Sequence, residues 1–269
     1  MTKVSELLGL VEQATVFDLG RPMANGMAQS PNHPTYRHCL DRRHGDRVRA
    51  DGGSAAADLL TTGCHVGTHV DALAHVSHDG RLYGGVSAND AQATGRFDVL
   101  GIQELPPFVG RGVLLDVPAV LGTDICEAAY EIGVADLEAA IDRQNTPVGP
   151  GDAVLIRSGW GAHFDQPDTY RGAGSGVPGV GEAGANWLAG KRVALAGADT
   201  IAFECLPAGE GHALLPAHRV LLVEAGINII EALDLDGLAA AGAYEFVFVL
   251  AHLNLQGATG APARPLALA

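Results

Sequence analysis

The chain is poor in aromatic residues (5%) and in charge (18%). Its 17 lysines and arginines are outnumbered by 31 aspartates and glutamates, a formal net charge of −14 with histidine neutral. So few aromatics leave no stacking platform for single-stranded nucleic acid. So acidic a surface repels phosphate backbones and anionic lipid headgroups, which argues against nucleic-acid and membrane partners. Long apolar runs are missing as well: the best, residues 246–250, falls far short of the roughly 18 residues that span a bilayer. The N-terminus has acidic residues inside its apolar stretch and no small-residue cleavage site, so it lacks the pattern of a secretory signal. The four cysteines (Cys39, Cys64, Cys126 and Cys205) are scattered with no C-x-x-C pair. They are expected to be reduced, partly buried thiols of a cytoplasmic protein. Neither a GxGxxG after a strand nor a GxxxxGK[ST] occurs, which removes the nucleotide-binding folds.

What remains is 269 residues, 47% of them hydrophobic, enough for a sizeable core. No internal repeat, charge block or long linker divides the chain, so residues 1–269 are expected to form a single domain. Residues 3–13 have the spacing of a short surface helix. Residues 20–54, rich in proline and glycine and holding His33, His38 and His44, read as a long functional or mobile loop. Apolar runs at 112–117, 153–157, 193–196 and 244–250 predict buried strands. Helical patterns at 134–143, 182–188, 217–224 and 234–241 alternate with them. The glycine-rich stretch 149–184, with Trp160, His163 and Asp165, reads as a long loop beside the core. Such alternation predicts an α/β protein with a mixed sheet core flanked by helices.

Chemistry concentrates in one segment. Of eleven histidines, four fall within the fourteen residues 65–78, in the order His65-x3-His69-x-Asp71-x3-His75 followed by His78. Imidazole and carboxylate together suit Zn²⁺, Mn²⁺ or Fe²⁺. A lone histidine is more often a core or surface residue than a ligand. Four with an aspartate in an apolar segment, however, would need many hydrogen-bond partners if they were merely buried. On a straight strand His65 and His69 would stand roughly 13 Å apart at about 3.3 Å per residue, too far to share an ion. On a helix Asp71 falls off their common face. The segment must therefore bend, and Gly67-Thr68 is where the backbone can turn.

A second constellation lies near the C-terminus. His218 opens a predicted helix, and Glu231 closes the apolar run 226–231. Two readings of Glu231 stand side by side: a carboxylate drawn inward that needs a cation, or a solvated residue ahead of the next helix.

At these residues the sequence resembles the cyclase family of metal-dependent hydrolases, which includes bacterial kynurenine formamidase, isatin hydrolase and a trans-dienelactone hydrolase. The family pattern H-x-G-T-H-x-D-x-x-x-H is matched by His65, Gly67, Thr68, His69, Asp71 and His75. Weaker matches follow in order: 17–19 with 26–27, 82–83, 151–157, 215–218, and 257–262 with Arg264-Pro265. The resemblance implies the family's swivelling β/β/α-like fold. It makes His65, His69 and Asp71 ligands of a first divalent ion, Zn or Mn. It lets Asp71 and Glu231 bridge to a second ion that His218 also holds, so one or two ions per chain are implied. His75 matches the family's proton-transferring histidine.

The implied activity is hydrolysis of an amide, N-formyl or cyclic amide C–N bond in a small molecule, since a divalent ion activates water and polarises the carbonyl under attack. A lactone hydrolase, a ring-closing or dehydrating lyase, or a non-catalytic metal-binding protein would use the same residues. Kynurenine formamidases carry an N-terminal tryptophan, whereas the tryptophans here are Trp160 and Trp187, so the resemblance implies a reaction class and no particular substrate. It also implies a homo-oligomer, a dimer or tetramer. From the sequence itself, Met23 and Met27 in the irregular early loop are expected to cover a neighbour's site.

Overall fold

The computed structural model describes residues 2–269. Among these, the strands are β1 (Val16–Asp18), β2 (Arg37–Arg42), β3 (Ala57–Thr61), β4 (His69–Asp71), β5 (Phe108–Asp116), β6 (Glu131–Ile132), β7 (Ala153–Arg157), β8 (Gly179–Val180), β9 (Leu195–Ala198), β10 (Asn228–Glu231), β11 (Glu245–Leu250), β12 (Gly260–Pro262) and β13 (Leu266–Leu268). The helices are α1 (Lys3–Gln13), α2 (Ala88–Ala91), α3 (Val117–Leu121), α4 (Val134–Gln144), α5 (Pro167–Tyr170), α6 (Glu182–Lys191), α7 (Pro216–His218) and α8 (Asp236–Ala241). A π-helical segment, Arg219–Ala225, continues α7.

One mixed sheet carries the fold, in the order β1-β13-β11-β5-β7-β9-β10-β4-β12. Strands β5, β7, β9 and β10 run parallel, and the strands on both flanks are antiparallel. The parallel centre is buried on both faces, which explains its near-continuous apolar sequence. From β5, Val113 and Leu115 pack toward one face with Leu137 of α4, Leu188 of α6 and Leu221 of the π-helical segment. Leu114 points the other way and joins Phe246 and Phe248 of β11, Val70 of β4 and Ala261 of β12. A single cluster that unites strands from both ends of the sheet requires the sheet to curl. Each fully buried leucine of this kind contributes about 1.5–3 kcal/mol of transfer free energy.

The expected α/β architecture, a mixed sheet flanked by helices, is the observed one. Strand β7 coincides with its expected span, and α4 and α6 with theirs to within three residues. Two expectations are corrected. The stretch 20–54 is not loop throughout: residues 37–42 pair with 57–61 in an exposed antiparallel hairpin. Its strands escaped notice because they bury no face and so lack the alternation that marks a half-buried strand. The stretch 149–184 likewise holds short helical turns at 160–163 and 167–170 besides β7 and β8. There Trp160 is buried with its indole N–H donated to the Tyr170 carbonyl (2.9 Å), and His163 packs on it rather than at a catalytic centre. Among the described residues no helix is long and apolar enough to cross a membrane.

Candidate metal centre

Strand pairing assembles the centre. Three-residue β4 lies between β10 and β12, and its register sets Glu231 opposite His69 and Gly260 opposite Asp71. Directly opposed antiparallel residues have Cβ atoms about 4.5–5.5 Å apart. Asp71, two residues after His69, projects from the same face. The predicted bend is present: Gly67 has φ +69°, a left-handed conformation that favours glycine, and it turns the chain so that His65 comes back onto Asp71. Thr68, also buried, ties the turn down. Its hydroxyl donates to the Ala232 carbonyl (2.7 Å) and accepts the Arg21 N–H (2.9 Å). Asn228 Nδ2 donates to the Asp71 carbonyl (2.7 Å), which fixes the strand from the other side. Met23 and Met27 lie over this chain's own Gly67 turn, within 3.4–3.5 Å of where a Cβ there would stand.

The result is a buried group of nitrogen and oxygen donors. His69 Nδ1 donates to the Gly67 carbonyl (2.8 Å), leaving Nε2 3.4 Å from Asp71 Oδ1 and 3.4 Å from Glu231 Oε2. On the other side His218 Nε2 lies 3.5 Å from Asp71 Oδ2 and 3.2 Å from Glu231 Oε1. Both carboxylates thus face the His69 and His218 imidazoles. His69 Nε2, Asp71 Oδ2 and Glu231 Oε1 are buried without a hydrogen-bond partner. Three orphaned polar atoms on neighbouring side chains would be costly in an apolar interior, whereas a cation bound among these side chains relieves that cost. His69, Asp71 and Glu231 offer donor atoms within 4.8 Å of one another, and so do His65, Asp71 and His75. The donor set fits a divalent ion of the borderline class.

His65 is held at both ring nitrogens, by Asp71 Oδ1 (2.6 Å) and Thr259 Oγ1 (2.8 Å). His75 stacks on it at a ring separation of 3.8 Å. Of the two readings of Glu231, the structure takes the inward one, with 5% of the residue exposed at the end of β10. His218 closes the single turn of α7 and is buried. All six residues singled out in the sequence therefore meet at one place. His78, the fourth histidine of the cluster, is exposed beside Asp79.

Electrostatics follow from this crowding. Burial alone would lower the His69 pKa, but the nearby carboxylates, Asp71 above all and then Glu231, outweigh it and raise the value to about 9. Burial is likewise overcome at His218, where Asp71, Glu204 and Glu231 hold the ring well above its ordinary value. The opposite occurs at His75 and His33, where burial lowers the values to about 3 and about 4. Burial would raise the Asp71 carboxyl, but the His75 and His65 rings keep it well below the usual carboxylate range.

A cavity of about 210 Å³ opens onto His65, His69, His75, His218 and Glu231, with Ser30, Asn32 and His33 on one wall and Ile201, His212 and Leu215 on the other. Ile201 and His212 also line an adjoining cavity of about 330 Å³ that reaches Leu206 and Arg171. Asp199 accepts the Ser158 and Gly159 N–H groups (2.9 and 2.8 Å) and so links the ends of β7 and β9 just before Ile201. Sequence reasoning missed His33 as a wall residue, along with His212 and Glu204. His33 was visible only as one histidine of an irregular segment, and His212 and Glu204 sat outside any motif.

The chain belongs to the Cyclase family: the family model described as "Putative cyclase" matches residues 17–205, a span that takes in His65–His75 and Glu204 and stops short of His218 and Glu231. No match was found among curated proteins. A solved structure of a novel cyclase superposes with a TM-score of 0.84 at 28% identity, covering 99% of this chain and 91% of its own. Isatin hydrolase A from Ralstonia solanacearum superposes with a TM-score of 0.74 at 20% identity, covering 100% and 97%. A "predicted metal-dependent hydrolase" from Bacillus stearothermophilus gives 0.59 at 23%, covering 95% and 98%. At these identities the last two establish a shared fold.

Proposed function

We propose that this chain is a metal-dependent hydrolase of small molecules that cleaves a C–N bond at a carbonyl, in an amide, N-formyl or cyclic amide substrate. The observation that carries the reading is the trio of orphaned buried atoms on His69, Asp71 and Glu231, beside a cavity that His69, Glu231 and His75 line. Family membership and the resemblance in fold to an isatin hydrolase support it. His65, His69, Asp71, Glu231 and His218 would hold one or two divalent ions, Zn or Mn. Such an ion activates water and polarises the substrate carbonyl.

The chain's own contribution is placement. His69 presents Nε2 because Nδ1 is committed to Gly67, and Asp71 and Glu231 face both imidazoles at once. His75, on the cavity wall, takes the proton that water releases as its oxygen bonds to the carbonyl carbon, and delivers it to the nitrogen as the C–N bond breaks. A positioned acid–base group of this kind contributes about 10²–10⁴-fold. His75→Ala is expected to lose at least that factor in turnover while elemental analysis finds its metal content unchanged. Loss of the metal would instead make His75 a ligand. Paired assays on an amide and its lactone analogue decide between amide and ester chemistry, and turnover of the lactone alone would overturn the C–N assignment.

Two further readings belong with this one. Association of copies into a dimer or tetramer has a physical basis in α1, which buries none of its residues and exposes Val4, Leu7, Leu8 and Val11 at helical spacing. Light scattering that finds a monomer at working concentration overturns it. A cytoplasmic location accords with the four free cysteines, and cell fractionation tests it.

A further inference from the structure

We infer that Glu204 is the positioning residue of the centre: it fixes the ring of His218 so that Nε2, and not Nδ1, is offered to a metal ion. The inference rests on the metallohydrolase reading and concerns a residue with no part in the histidine motif.

Glu204 is 1% exposed, in a stretch where Ala202, Phe203 and Leu206 are buried too, a setting in which an unpaired carboxylate would cost several kcal/mol. All of its side-chain hydrogen bonds go to one place. Oε1 accepts His218 Nδ1–H at 2.5 Å and the His218 backbone N–H at 3.2 Å, and Oε2 accepts the Ala217 backbone N–H at 2.9 Å. The segment that presents it is itself held. Glu204 forms a parallel bridge with Val180 of β8, and the preceding Phe203 adopts φ +58°, a conformation that a non-glycine residue occupies only when its surroundings impose it.

His218 lies in the first turn of a helical run, α7 with its π-helical continuation, entered from the loop 207–215. A backbone position there does not by itself decide which ring nitrogen is offered, so a partner must. With Nδ1–H committed to Glu204, Nε2 is the nitrogen that faces Asp71 and Glu231. A carboxylate behind a ligating histidine sets its tautomer and orientation and increases its basicity, and losing one typically weakens metal binding about 10- to 100-fold. The Gly67 carbonyl performs the same task for His69, so the two histidines that face the paired carboxylates are both locked from behind.

The test uses the full-length protein stripped of metal and titrated with Co²⁺, whose visible absorption reports ligand geometry, in four forms: wild type, Glu204→Gln, His218→Ala, and the double variant. The expected result is an affinity about 10- to 100-fold lower for the ion held by His218 in Glu204→Gln, with an altered visible band and no further loss when Glu204→Gln is added to His218→Ala. Unchanged affinity in Glu204→Gln, or an equal further loss in the His218→Ala background, overturns the inference while leaving the metal centre standing. A wild type that takes up no Co²⁺ overturns both. A second measurement needs no variant: ¹⁵N–¹H correlation spectra of the metal-loaded wild type should show His218 protonated at Nδ1, and an Nε2–H tautomer refutes the assignment even if Glu204→Gln fails to fold.

Discussion

Adding one methyl group at Gly260 tests whether the crowding around His65 is as tight as its geometry indicates. A Cβ on Gly260 would stand 2.6 Å from His65 Cε1, 3.1 Å from its Nδ1 and 2.7 Å from the Val70 carbonyl oxygen. Comfortable contacts between heavy atoms begin near 3.5 Å, so the overlap is close to 1 Å against each neighbour. Neither neighbour can yield. Val70 is the middle residue of β4, hydrogen-bonded between β10 and β12. His65 is pinned at both nitrogens and stacked on His75. Overpacking in a rigid core costs about 1–3 kcal/mol. In a chain of this size each kcal/mol lowers Tm by about 2–4 °C. Gly260→Ala should therefore melt about 2–12 °C below wild type by calorimetry, and it should bind Zn²⁺ more weakly because His65 is pushed off Asp71. Gly190→Ala in α6 is the control: its Cβ meets nothing within 4 Å, and the substitution should hold or slightly raise Tm. Wild-type Tm and Zn²⁺ affinity in Gly260→Ala would refute the packing argument and with it the account of how β12 confines His65.

Chelation of the purified, metal-loaded protein should lower its Tm, because an ion that binds only the folded state contributes about 4 kcal/mol at a thousand times its Kd; an unchanged melt on chelation contradicts the centre. Metal-free protein should be most stable near pH 6.5. His33 and His75, lowered to about 4 and about 3, lose their contribution as the pH falls below 6.5, and His69, raised to about 9, loses its contribution as the pH rises from 6.5 through 9. A Tm of the chelated protein that climbs steadily from pH 6 to pH 10 opposes that assignment. Tyr170→Phe removes the hydroxyl that donates to the buried Asp199 carbonyl (2.9 Å) and should cost about 1–3 kcal/mol in denaturant unfolding, with retention of full stability as the refuting result.

How far the sequence reveals the molecule depends on the range of each interaction. The parallel strands β5, β7 and β9 were legible as apolar runs because burial on both faces leaves no polar alternation to confuse them. The bend at Gly67 followed from geometry alone, since His65, His69 and Asp71 cannot all meet on any straight element. That Glu231 stands opposite His69 was not legible, because strand register between segments so far apart leaves no local mark. The hairpin of residues 37–61 was missed because it is exposed on both faces, and Glu204 because a lone glutamate in an apolar stretch reads the same whether it supports a ligand or faces water. Family resemblance supplied the roles of His218 and Glu231, whereas composition and spacing supplied only the first cluster.

Strand β4 has a consequence for how the molecule comes into being. It carries His69 and Asp71 yet consists of three residues, and the groups that complete it arrive late: the Asn228 side chain that grips Asp71 is 157 positions away, and the Thr259 hydroxyl that holds His65 is 194 positions from its partner. During synthesis the histidine motif leaves the ribosome long before either flanking strand exists. Pairings of such sequence separation form slowly, since a long loop must close before any contact rewards it. The motif is thus a set of exposed donors for most of translation, and it becomes a buried centre only when residues 228–262 fold around it.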